Sequence, residues 1–212
     1  MRRYLITDRQ QLFHAGEAYD EATARQRLVR LACFAAAQGI DYLQLREKDL
    51  SARALTQMAA AMVAALSGSR TRLLVNDRLD VAYAAGAHGV HLTARSLPPA
   101  VVRRCAPSGF LIAVSTHNRA EIAAAEDAAD FAVCGPVFPS GNKPVLGLEA
   151  FAALARETTL PLFALGGVNR DNAPLVAAAG AAGIASIRAF TQAFLESEAK
   201  TGRTVDWQPR PK

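Results

Sequence analysis

PLFALGGVNRDNAPLVAAAGAAGIASIRAF, residues 161–190, holds one full turn of the pattern that decides the fold. A short apolar run, Pro161–Gly167, ends in two glycines. A helical stretch follows and closes at Gly180, the place of a helix C-terminal glycine. A second apolar run, Gly183–Phe190, comes next. Apolar runs of this length, bounded by turn signals, read as buried parallel strands.

The same alternation extends back to the start of the chain. Strand-like runs fall at Tyr4–Thr7, Tyr42–Arg46, Leu73–Asp77, Gly89–Thr93, Leu111–His117 and Phe131–Phe138. Between them, the segment from Asp20 to Gly39 puts Leu28, Leu31, Ala32 and Ala35 on one face. Ser51 is predicted to cap a helix that ends near Gly68, and Asn118 with Glu121 forms an Asn variant of the capping box. About eight strand–helix repeats predict α/β architecture closed into a (β/α)8 TIM barrel, with an open doubly wound sheet as the competitor. Residues 1–212 are predicted as a single barrel domain with a short C-terminal tail from about residue 203.

Composition agrees with a packed enzyme-sized domain. Of 212 residues, 51% are hydrophobic and 20% charged, which excludes a disordered chain. The net charge of +5 suits phosphate esters, but the Arg residues are dispersed, so no nucleic-acid partner is expected. Cys33, Cys105 and Cys134 have neither paired nor metal-ligand spacing and are predicted to be buried free thiols of a cytoplasmic protein. No secretory leader and no membrane span are expected.

In this fold the chemistry sits at the C-terminal ends of the strands. Polar residues gather there. Period two turns Gln44 and Arg46 into the barrel if Leu43 and Leu45 face the helices. A buried Arg46 needs an anionic ligand or an internal acid partner. Asp77 ends the third strand, as an Mg²⁺ ligand or as a helix cap. His91 in the fourth strand reads as structural. Ala113, Ser115 and His117 share an inward face; His117 is either an acid/base group or a helix-entry residue. The run Gly135–Pro144 reads as a lid over phosphates or as an ordinary turn. Gly166, Gly167 and the eighth strand occupy the place of a recurrent barrel phosphate site.

In this order, Gln44-Leu45-Arg46-Glu47-Lys48, Asn76-Asp77-Arg78, Gly89-Val90-His91-Leu92, Ser115-Thr116-His117, Gly135-Pro136-Val137-Phe138-Pro139-Ser140 and Ala164-Leu165-Gly166-Gly167 resemble the thiamine-phosphate synthase family, which includes a thiazole tautomerase branch. The resemblance runs from Tyr4 to about Phe190. It implies a transferase of thiamine biosynthesis that joins hydroxymethylpyrimidine diphosphate to thiazole phosphate and releases pyrophosphate, with Mg²⁺ as cofactor. It implies that Gln44 contacts the pyrimidine. Arg46, Lys48, Asn76 and Lys143 would hold the diphosphate, with Ser115 beside it and Asp77 as a metal ligand. Ser140 and Asn142 would lie near the thiazole. Gly166, Gly167, Ile187 and Arg188 would take its phosphate. A homodimer is a further expectation.

Three positions depart from the synthase pattern. Thr93-Ala94-Arg95-Ser96 puts Ser96 where the second metal carboxylate is expected, with Arg95 adding positive charge. The loop after Ser140 is shortened, and Arg188 replaces a small residue. The tautomerase branch needs no metal and uses a histidine at the position of His117 to isomerise a carboxylated thiazole phosphate. A non-catalytic binder of thiazole phosphate is the remaining alternative.

Overall fold

The computed structural model describes residues 1–142 and 144–201. Lys143 and the tail expected from about residue 203 lie outside the described residues. Eight parallel strands close into a barrel in chain order: β1 (Arg2–Ile6), β2 (Tyr42–Leu45), β3 (Arg72–Asn76), β4 (Gly89–Leu92), β5 (Leu111–Thr116), β6 (Phe131–Cys134), β7 (Leu162–Leu165) and β8 (Gly183–Ser186). β8 returns to pair with β1, Tyr4 lying against Ala185. A helix follows each strand: α1 (Glu21–Ala37), α2 (Ala52–Ala65), α3 (Leu79–Ala84), α4 (Pro99–Cys105), α5 (Arg119–Ala123), α6 (Leu148–Glu157), α7 (Ala173–Ala178) and α8 (Arg188–Thr201).

Strand alternation separates two cores. Leu5, Leu43, Leu45, Leu73, Val75, Val90 and Ile112 face outward and pack under the helices, where Leu28, Leu31, Ala32 and Ala35 of α1 meet them. Tyr4, Ile6, Leu74, Ala113, Phe131, Val133, Phe163 and Ala185 face inward. Aromatic rings plug the barrel: Phe131 lies 4.8 Å from Tyr42 and 4.7 Å from Phe163, centroid to centroid. Gly183 makes room for this plug, since a Cβ there would come within 2.3 Å of the Phe163 ring. These rings fill the lower interior, beneath the strand ends where the polar residues gather.

The predicted caps form. Ser51 accepts from the Ala54 N–H, and Asn118 from that of Glu121. The Glu121 carboxylate reaches back one residue further than a capping box requires, to the N–H of His117. Gly180 follows α7 with φ of +91°. Two strand boundaries and one burial expectation need correction. The run Phe131–Phe138 is strand only to Cys134. The run Gly183–Phe190 is strand only to Ser186, and Arg188 already begins α8. Cys134 is buried and Cys33 half-buried, but Cys105 is exposed, because it closes α4 on the solvent side.

Candidate active site

The C-terminal ends of the strands bring the predicted polar residues to one mouth. From β2 comes Gln44, buried, followed by half-buried Arg46 and exposed Lys48. The Arg46 guanidinium has no carboxylate partner among the described residues, so the internal acid pair is not the arrangement found. Its neighbour Glu47 instead turns back beneath the site. Glu47 accepts from the Thr7 hydroxyl at 2.6 Å and from Arg9 Nη1 at 3.1 Å. Arg9 also grips Asp49 and Glu21, and Thr7 Oγ1 accepts the Arg46 N–H at 2.9 Å. This buried cluster fixes the backbone that carries Arg46 and Lys48.

Burial pushes the Glu47 carboxyl above its usual range, partly offset by the bonds from Thr7 and Arg9. Arg9 holds the Asp49 carboxyl down at about 2. The Arg9 and Glu47 side chains are only 7% and 3% exposed. Truncating Arg9 to alanine would leave a buried carboxylate unpaired, and should lower stability by about 3–5 kcal/mol in urea unfolding. A change below about 1 kcal/mol would show that the pair is not a structural anchor.

On β3 and β4, Asn76 is half-buried and paired in register with His91. Asp77 follows with φ of +64°, the one non-glycine residue in the left-handed region among those described. Such a backbone costs energy and concentrates at functional sites, and Asp tolerates it better than most residues. The Asp77 side chain does not cap α3, whose start lacks a side-chain cap. Instead Asp77 Oδ1 accepts from Ser96 Oγ at 2.5 Å. The residue that departs from the family pattern therefore sits directly on the carboxylate.

His91 is 3% exposed, and its ring nitrogens meet Tyr4 Oη at 3.2 Å and Ser115 Oγ at 2.8 Å. Burial, with the positive charge of Arg46, lowers its pKa to about 3. The unfolded imidazole titrates near ~6.5. Between these values the unfolded chain binds one more proton than the folded one. The full contribution of this residue is thus present above pH ~6.5, and is lost at about 1.4 kcal/mol per pH unit as pH falls towards 3. Replacing His91 with glutamine should flatten that part of the stability–pH curve; an unchanged slope would contradict the assignment.

His117 stands just beyond β5 and is half-exposed. Its Nδ1 lies 3.0 Å from Glu121 Oε2, and Asn118 donates to the other oxygen of that carboxylate. Burial alone would raise the Glu121 carboxyl, yet the bonds from His117 and Asn118 hold it below its usual range. An ionised Glu121 can only accept, so His117 donates through Nδ1.

The opposite wall comes from β6, β7 and β8. The segment after β6 is pinned rather than loose in its first half: Val137 and Phe138 donate to the carbonyls of Leu165 and Gly166 at 2.8 and 3.0 Å. Gly166 and Gly167 adopt φ of +92° and +63° beneath it. Ser140 accepts from Arg188 Nη2 at 3.2 Å, and Asn142 is exposed. Arg188 opens the 14-residue α8 directly after Ile187, so both residues stand at a helix N-terminus, where N–H groups favour anions. Arg9, Tyr4 and the Glu121 side of the His117 pair were not identified from sequence. Period two does place Tyr4 inward with Ile6, but Arg9 meets partners some 38 residues away that no local pattern announces.

Comparison with known proteins settles the family. The family described as thiamine monophosphate synthase matches residues 4–190. The chain belongs to the thiamine monophosphate synthase family. A thiamine-phosphate synthase of Methanoculleus marisnigri is 43% identical over 176 residues, 80% of this chain and 83% of the relative. One from Azorhizobium caulinodans is 34% identical over 208 residues, 95% and 93% of the two chains. The solved thiamine phosphate pyrophosphorylase of Pyrococcus furiosus superimposes with a TM-score of 0.74 at 29% identity, covering 93% of this chain and 94% of its own. No helix among the described residues is long and apolar enough to cross a membrane.

Proposed function

We propose that this chain is a thiamine-phosphate synthase that condenses hydroxymethylpyrimidine diphosphate with thiazole phosphate and releases pyrophosphate. The observation that carries the reading is Arg46, a half-buried guanidinium at the mouth without an acidic partner among the described residues. A cation left in that state suits an anionic ligand. Arg46, Lys48, Asn76 and Lys143 would hold the diphosphate, with Ser115 beside it and Gln44 on the pyrimidine. Gly166, Gly167, Ile187 and Arg188 would take the thiazole phosphate, and Ser140 and Asn142 would flank the thiazole. Fixed positive charge at the diphosphate end stabilises the charge that grows on the departing pyrophosphate.

The donors fit a shared metal site but not a protein cage. No cluster of three or more His, Cys, Asp or Glu suited to a metal occurs among the described residues. Asp77 with Ser96 supplies one carboxylate and one hydroxyl, enough for a Mg²⁺ that takes its other oxygens from substrate and water. When bound, that ion would neutralise part of the diphosphate charge. Arg95, on the same loop as Ser96, would offset some of the missing carboxylate's effect by meeting the diphosphate directly. In a coupled assay, pyrophosphate should appear only when both substrates and Mg²⁺ are present. Release that ignores the thiazole phosphate would reject the reading.

The carboxylate-backed His117 favours a second reading, metal-independent thiazole tautomerisation by proton transfer. In that case chelator would leave the isomerisation intact and His117→Ala would slow it strongly; an unchanged rate in the variant would remove this reading.

A further inference from the structure

A line of four side chains crosses the barrel interior beneath the mouth. Gln44 Nε2 lies 3.0 Å from Tyr4 Oη. Tyr4 Oη lies 3.2 Å from His91 Nδ1, and His91 Nε2 lies 2.8 Å from Ser115 Oγ. Tyr4, Gln44 and His91 are 0%, 1% and 3% exposed. The chain spans β1, β2, β4 and β5, so it is a tertiary feature and not a local one.

Donor counting fixes its direction. An amide nitrogen can only donate, so Gln44 gives a proton to Tyr4 Oη. Tyr4 has one proton of its own, and the available acceptor is His91 Nδ1. A neutral imidazole carries a single N–H, which must then sit on Nε2 and point at Ser115 Oγ. Ser115 Oγ accepts there, so its own proton is free to turn towards the mouth. Among the described residues Ser115 Oγ has no other partner, and Gln44 Oε1 has none. A charged imidazole would donate at both ends and leave the Tyr4 proton without an acceptor, since Gln44 already donates to that oxygen.

We infer that Tyr4 and His91 are positioning residues, which orient the Ser115 hydroxyl as a dedicated donor and Gln44 Oε1 as a dedicated acceptor towards the substrate. The inference rests on the synthase reading for what Ser115 meets, namely an acceptor oxygen of the diphosphate. It adds that the presentation is set before substrate arrives. A hydroxyl that need not reorganise contributes more to the transition state than a freely rotating one. Turning the Gln44 amide would reverse every bond in the chain, placing the histidine proton on Nδ1 and the Ser115 proton on His91.

The histidine tautomer in the unmodified protein tests this without reference to activity. Long-range proton–nitrogen correlation on protein labelled with ¹⁵N in its histidine rings should show His91 protonated at Nε2 and bare at Nδ1. Protonation at Nδ1, or at both nitrogens, would overturn the inference. The functional arm uses Tyr4→Phe, with folding checked by circular dichroism. Its kcat/KM should fall about tenfold in the parent, the size of one oriented hydrogen bond, but less than about twofold in a Ser115→Ala background. Equal losses in both backgrounds would make Tyr4 merely structural and also overturn the inference. If the unmodified chain releases no pyrophosphate, the synthase reading fails, while the tautomer still decides the direction of the chain.

Discussion

Asp77→Asn should cut pyrophosphate release by at least about a hundredfold while leaving the barrel folded. Asparagine is the informative replacement. It tolerates the left-handed backbone that Asp77 adopts at φ of +64°. Its amide oxygen can still accept from Ser96 Oγ, as the carboxylate does. Only the negative charge is removed, and with it the carboxylate proposed to meet a hard cation at this strand end. A second expectation follows from Ser96. Restoring an acidic residue with Ser96→Asp should lower the Mg²⁺ concentration needed for half-maximal rate. Activity of Asp77→Asn within about threefold of the parent would remove Asp77 from the metal site.

Gly166→Ala should lose about 2–5 kcal/mol of stability, read by urea unfolding. Two costs combine. The residue sits at φ of +92°, where an L side chain is strained. A Cβ there would also lie 2.3 Å from the Pro136 Cβ and 2.5 Å from its Cα. Phe138 donates to the Gly166 carbonyl, so the strain would pass into the segment leading to Ser140. Thiazole phosphate affinity should weaken with stability. A variant as stable as the parent would show that the approach of Pro136 is not tight, and would undo the account of why two glycines stand here.

The barrel was legible because each strand is buried on both faces and so reads as an apolar run. The same cue misled at two ends. Val137 and Phe138 are apolar because they pack against β7 from an irregular segment, and Ile187 because it lines the interior ahead of α8. That polar side chains gather at the mouth was legible wherever period two met a strand end, as at Gln44, Arg46 and Ser115; what each of them does there belongs to the proposed function. What period two leaves open is the partner. Glu47 pairs with Arg9 and not with Arg46, Glu121 serves His117 as well as the helix start, and Ser96 closes on Asp77. The Arg9–Glu47 and Ser96–Asp77 bonds join residues brought together only when the barrel closes or a loop folds back, and the Glu121–His117 bond depends on the turn from β5 into α5. The glycine pair was read as room for a phosphate, and its immediate cause is the approach of Pro136 and Phe138.

On the proposed function, this mouth holds two phosphorylated substrates and joins them. Incubating the purified chain with hydroxymethylpyrimidine diphosphate, thiazole phosphate and Mg²⁺, and measuring product by chromatography with mass detection, tests it most directly. Thiamine phosphate should form in equal amount to the pyrophosphate released, and chelator should suppress it. Absence of thiamine phosphate, while a carboxylated thiazole phosphate is isomerised equally well with and without chelator, would contradict it.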